Sequence, residues 1–165
     1  MKKVLFLSIL LCAAIAFAGP NYSGEWTLNK EKSGIDENGP GFRMFSGNLV
    51  VVHNNVLTVT RTGLNRDGQE TKTEEKYTLD GKECFNKTEF REKTSTVTFS
   101  ADGKTMTIKS VTKMNRDGNE FSMEGTEKWS LQADGKILFI DSTTNSPRGE
   151  RTMQLYYDLK PKAAK

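Results

Sequence analysis

A tetrapeptide that occurs twice constrains this chain more than any other feature. Asn65-Arg66-Asp67-Gly68 and Asn115-Arg116-Asp117-Gly118 are identical, and each lies between two stretches in which apolar and polar residues alternate. The first copy leads to Glu75-Lys76-Tyr77-Thr78-Leu79 and then Asp80-Gly81-Lys82. The second leads to Glu127-Lys128-Trp129-Ser130-Leu131 and then Asp134-Gly135-Lys136. A strand-turn-strand unit repeated about fifty residues apart implies a sheet built by iterating hairpins.

The rest of the chain is punctuated in the same way. Asp-Gly pairs fall at Asp67-Gly68, Asp80-Gly81, Asp102-Gly103, Asp117-Gly118 and Asp134-Gly135. Glycine tolerates the left-handed backbone that tight turns need, and aspartate bonds its own backbone nearby. Asn54-Asn55 and Ser146-Pro147-Arg148-Gly149 supply two further turns. Between these signals lie candidate strands at 22–28, 49–53, 56–64, 69–79, 82–90, 94–100, 104–114, 119–131, 136–142 and 151–159. Residues 30–41 read as an irregular loop with room for one helical turn.

Short connections require antiparallel neighbours, because parallel ones need crossovers of about a dozen residues. The predicted fold is therefore all-β, an antiparallel up-and-down β-barrel of about 8–10 strands, since closure removes the two long edges of an open sheet. A two-sheet sandwich is the structural alternative.

Residues 1–18 read as a signal peptide: Lys2 and Lys3, an apolar run over 4–15, then small residues at Ala16 and Ala18. The run is too short to span a bilayer. Cys12 follows Leu11 and not a small residue, which argues against a lipid anchor. The mature domain is then 19–165, one domain, periplasmic or secreted. Without Lys2 and Lys3, 22 basic residues face 21 acidic ones, interspersed in sign. That pattern offers nucleic acid no basic stripe. Cys84 is the one cysteine of the mature chain, so no internal disulfide is available.

No catalytic constellation emerges. His53, the single histidine, sits beside Asn54-Asn55 and is expected to be exposed. One histidine and one mature cysteine assemble no nucleophile-base arrangement. The stretch after Lys113 lacks the acidic first and closing ligands of a calcium loop. The chain is read as a non-enzyme with no metal or cofactor.

Gly24-Glu25-Trp26 on the first strand, followed by antiparallel strands, resembles the calycin group of lipocalins and fatty-acid-binding proteins. Gly24-Glu25-Trp26-Thr27-Leu28-Asn29, Ser100-Ala101-Asp102-Gly103-Lys104-Thr105-Met106-Thr107 and Arg148-Gly149-Glu150 before Leu155-Tyr156-Tyr157-Asp158 are similar to secreted bacterial lipocalin-like proteins. The resemblance implies a barrel whose interior holds a small hydrophobic or amphipathic molecule. It also implies an arginine packed over Trp26, with Arg151 the matching position and Arg148 the second. The chain has neither the lipocalin disulfide nor a clear Thr-Asp-Tyr motif.

Strand alternation adds a reading of its own. Glu75 and Glu127 share a face with Tyr77 and Trp129, the aromatics two residues later, which places both carboxylates on the apolar side. Such a group must be neutral, wetted, or paired with a cation such as Arg151 or Arg61. A bulge at Gly125 would shift the parity and leave Glu127 in solvent. The candidate ligand-binding residues are Trp26, Glu75, Tyr77, Phe121, Glu127, Trp129, Arg151 and Tyr157. The expected partner is a small hydrophobic molecule. The alternative is a filled barrel that engages another exported protein through its loops.

Overall fold

The computed structural model describes residues 19–36, 47–65, 67–116 and 118–161. The predicted signal peptide and part of the 30–41 loop lie outside them. Ten strands run in chain order: β1 (Gly24–Leu28), β2 (Leu49–His53), β3 (Val56–Leu64), β4 (Glu70–Thr78), β5 (Cys84–Lys87), β6 (Arg91–Phe99), β7 (Thr105–Arg116), β8 (Asn119–Gln132), β9 (Ile137–Ser146) and β10 (Gly149–Leu159). They form one antiparallel sheet in the order β4-β3-β2-β1-β10-β9-β8-β7-β6-β5, an up-and-down barrel and not a sandwich. No helix among the described residues is long and apolar enough to cross a membrane.

The glycines of all five Asp-Gly pairs take positive φ, between 70° and 81°, and every pair lies in a connection between consecutive strands. The two identical tetrapeptides nevertheless close different loops. Leu64 pairs with Glu70 across the first, with Asn65 Oδ1 accepting from the backbone of Asp67 and Gln69, whereas Arg116 pairs directly with Asn119 across the second.

Several predicted boundaries move, most of all around β5–β6 and at the end of β9. The backbone N–H of Thr88 donates to the carbonyl of Arg91 at 2.7 Å and turns the chain there. The stretch read as a strand over 82–90 therefore shortens to Cys84–Lys87, and the next strand begins at Arg91, before the expected 94. Strand β9 runs on through the polar residues Thr143 to Ser146, because both neighbours, β8 and β10, are long enough to pair with them.

The barrel is nearly closed, and its last seam is made by side chains. Strands β4 and β5, the ends of the sheet order, share no backbone ladder. The Asn86 side chain on β5 takes the place of one: its Oδ1 accepts from the N–H of Lys76 at 2.8 Å and its Nδ2 donates to the Lys76 carbonyl at 2.9 Å. Thr78 Oγ1 adds a bond to the carbonyl of Lys82.

The two ends differ. The end bearing the β2–β3, β4–β5, β6–β7 and β8–β9 turns is packed with Trp26, Leu57, Tyr77, Met106, Trp129, Leu138 and Tyr157, all buried. Tyr22, read as part of the first strand, instead precedes it and plugs this end. Its hydroxyl donates to the carbonyl of Trp129, its ring meets Trp129 edge-on, and its own carbonyl accepts from Trp26 Nε1. His53 is half-buried and not exposed as expected, because its ring stacks on Tyr22 and its Nδ1 accepts from the Tyr22 N–H. The opposite end carries both copies of the repeated turn, and its inward residues Met114, Phe121, Met123 and Met153 are only half-buried.

If Asn86 closes the seam, Asn86→Ala should lower stability by about 1–2 kcal/mol, the order of two lost hydrogen bonds. The Lys76 amide should then exchange hydrogen faster than β3 amides, a difference readable by hydrogen-exchange NMR.

Candidate functional site

Between the packed end and the open end lies a layer of charge. The register runs without interruption through Gly125, opposite Ser110, so no bulge moves Glu127 to the outside. Both repeat carboxylates point inward. Glu75, 2% exposed, faces the interior of β4, and Glu127 faces it from β8.

Each carboxylate is held by the aromatic that follows it. The Tyr77 hydroxyl donates to Glu75 Oε2 at 2.6 Å, and Trp129 Nε1 donates to Glu127 Oε2 at 2.8 Å. The shared i and i+2 placement on a strand makes this contact, since both side chains leave the same face. Arg61 on β3 joins the two copies. It donates to Glu127 at 2.7 Å, approaches Glu75 at 3.7 Å and lies over the Trp129 ring at 5.7 Å.

Two more cations come from β6. Lys93 Nζ lies 3.1 and 3.2 Å from the Glu75 oxygens and 3.0 Å from the Tyr77 hydroxyl, and Arg91 donates to Glu75 Oε1 at 2.9 Å. These bonds cross the β4–β5 seam. Among the described residues the connected network thus holds three cationic groups, Arg61, Arg91 and Lys93, and two carboxylates.

The electrostatics follow from this packing. Burial pushes the Glu75 carboxyl up, but Lys93, Arg61, the Tyr77 hydroxyl and Arg91 outweigh it and hold the pKa at about 2 against an ordinary 4.5. Burial likewise opposes Glu127, which Arg61 leads in holding below its ordinary value. Burial, then Glu75, keeps the Tyr77 phenol well above its ordinary value, and burial raises Tyr157 to about 12. At neutral pH the layer is therefore ionised at both carboxylates and neutral at both phenols.

The structure gathers Glu75, Tyr77, Glu127 and Trp129 into this one network. Trp26 and Tyr157 belong to the packed end, and Phe121 lies at the open rim. Arg151 is exposed near the start of β10, opposite Thr144. Trp26 lies beside Leu159 at the far end of that strand. Eight residues separate them along β10, roughly 27 Å of extended chain. Arg151 does not pack over Trp26, and Arg148, in the turn beyond, lies farther still. Among the described residues it is Arg61 that lies over a tryptophan, Trp129.

Sequence reading missed Lys93, Arg91 and Ser95. Alternation counted back from Val97 through Ser95 and Lys93 to Arg91 carries the signal. A strand started at 94 hides it, because a polar inward row looks like a loop.

A cleft of about 490 Å³ opens at the rim of the open end, between the β5–β6 turn and the β7–β8 hairpin. Phe90, Met114 and Phe121 line it with three cations, Lys87, Lys113 and Arg91, and three carboxylates, Glu89, Glu92 and Glu120, and Arg91 is the lining residue that belongs to the network. Among the described residues no group of His, Cys, Asp and Glu is placed to hold a metal ion.

No protein-family model and no curated protein sequence matches the chain. The solved structure of the zebrafish ileal bile acid-binding protein, complexed with cholic acid, is similar in fold with a TM-score of 0.53. It is 15% identical, and the match covers 84% of this chain and 98% of that one. The fold is calycin-like.

Because the Glu75 pKa is depressed, its contribution to stability is present above about pH 4.5 and is lost as pH falls toward 2. That contribution is on the order of 3 kcal/mol. Urea midpoints of the native protein should fall steeply from pH 5 to pH 2. Glu75→Gln, which strands Lys93 and Arg91, should cost about 3 kcal/mol at pH 7 and flatten that acid limb.

Proposed function

We propose that this is an exported binding protein that carries a small amphipathic acid, head group inward, in the open half of the barrel. The observation that carries the reading is the clustering of three cations, Arg61, Arg91 and Lys93, around two carboxylates inside the barrel, with Arg91 also lining a partly apolar cleft at the open rim. Arg61 and Arg91 are only half-buried, which leaves them able to take an anionic partner from the open end. A few placed polar groups within an apolar wall are how ligand sites fix orientation.

The wall supports the same reading. Met114, Met123 and Met153 are unbranched and polarisable, and they adapt to irregular apolar bodies. The zebrafish protein of similar fold was solved with cholic acid, an acid of this general kind. Lys93, Tyr77 and Glu75 are bonded to one another, an arrangement suited to holding a charge in place.

Phe85 and Phe90 favour a second reading, docking to another exported protein. They are 60% and 67% exposed on the β5–β6 hairpin beside the seam.

Isothermal titration of the purified protein with hexadecanoate and hexadecanol separates the two. An acid carrier binds the acid at one to one, at least about tenfold more tightly than the alcohol, the scale of one charge-assisted bond. Arg91→Met should remove that preference and leave alcohol binding unchanged. Equal affinity for acid and alcohol, or binding of neither, overturns the carrier reading and leaves the exposed phenylalanines as the functional surface.

A further inference from the structure

Of the two carboxylates in the network, one is closed and the other is open. Both oxygens of Glu75 are taken: Arg91 and Lys93 reach Oε1 at 2.9 and 3.2 Å, and the Tyr77 hydroxyl and Lys93 reach Oε2 at 2.6 and 3.1 Å. Glu127 differs. Among the described residues its donors, Arg61 Nη2 at 2.7 Å and Trp129 Nε1 at 2.8 Å, bond the same oxygen, Oε2, and none reaches Oε1. That oxygen is not sealed off, since among the described residues Ser95 Oγ alone is a buried side-chain polar atom without a partner.

The Arg61 and Glu127 side chains keep 27% and 22% of their surface accessible. Both stand on the inward face of their strands, in step with the buried Val59 and Trp129, so that surface looks into the barrel. Toward the open end the next inward position on β8 is Gly125, which has no side chain to cover Glu127.

This pair sets two opposite requirements side by side. Arg61 has donors to spare, since a guanidinium carries more N–H groups than these contacts use. Glu127 Oε1 lacks a donor. A plain alkyl carboxylate answers the arginine and brings a like charge up to the glutamate. A cationic donor makes the stronger, charge-assisted bond to a carboxylate. Resting on the reading of the protein as an acid carrier, we infer that the acid it carries is zwitterionic, an amphipathic α-amino acid whose carboxylate meets Arg61 and Arg91 and whose ammonium meets Glu127 Oε1. Its apolar chain then runs toward the half-buried Met123 and Phe121 at the open end.

The test titrates the purified protein with hexadecanoate and 2-aminohexadecanoate at neutral pH. The amino acid should bind about tenfold more tightly, the scale of one charge-assisted bond. Glu127→Gln should bring the two ligands within about twofold of each other by weakening the amino acid and not the plain acid. An unchanged thermal midpoint verifies that the variant folds, and if it does not fold, the native comparison decides alone.

Hexadecanoate bound as tightly as the amino acid or more so, or a folded Glu127→Gln protein that keeps the native preference, overturns the zwitterion inference and leaves the acid-carrier reading standing. Binding of neither acid overturns both.

Discussion

An ionised carboxylate at 2% exposure is the constraint on which this barrel turns. Glu75 tolerates burial only because Tyr77, Lys93, Arg91 and Arg61 surround it, and those partners come from β3, β4 and β6. Satisfying one charge therefore draws together strands that share no backbone ladder. The seam between β4 and β5, which backbone hydrogen bonds leave open, is held by these ion pairs and by Asn86. Apolar residues of similar volume stabilise a layer of this kind as well or better. Charge in the middle of the barrel is thus an expensive way to fill it and an effective way to recognise an ion.

The layer also divides the molecule by role. On one side the aromatics, plugged by Tyr22, form a rigid end whose packing supplies the stability. On the other the inward residues include three methionines and a phenylalanine, half-buried and adaptable. A barrel packed along its whole length would have no room for a guest, and one empty along its whole length would have a weak core.

The repeat shows how a duplicated plan acquires asymmetry. Glu75 with Tyr77 and Glu127 with Trp129 keep the same contact, carboxylate to the following aromatic donor. The partner strands have diverged. Arg61 follows Val59, which is opposite Glu75, whereas Ser110 follows Ile108, which is opposite Glu127. One arginine consequently serves two carboxylates, and β6 supplies the remaining cations. The small side chain at 110 helps to leave the wall beside it shallow.

The sequence by itself determined an antiparallel up-and-down order of about ten strands and pointed each repeat carboxylate inward, with a bulge at Gly125 as the open alternative that only the register closed. Those features are local: turn chemistry at Asp-Gly and the period of two along a strand decide them before any strand meets another. Arg61 was legible as a possible partner for the same reason, since its parity places it inside. Tertiary structure alone decided that Lys93 and Arg91 of β6 reach Glu75 beside Arg61, that His53 is covered by Tyr22, and that Arg151 lies a strand's length from Trp26. Each depends on the stagger between strands distant in sequence and on side chains reaching across the barrel. A one-dimensional pattern carries the direction in which a side chain leaves its strand, but not what it meets on the far wall.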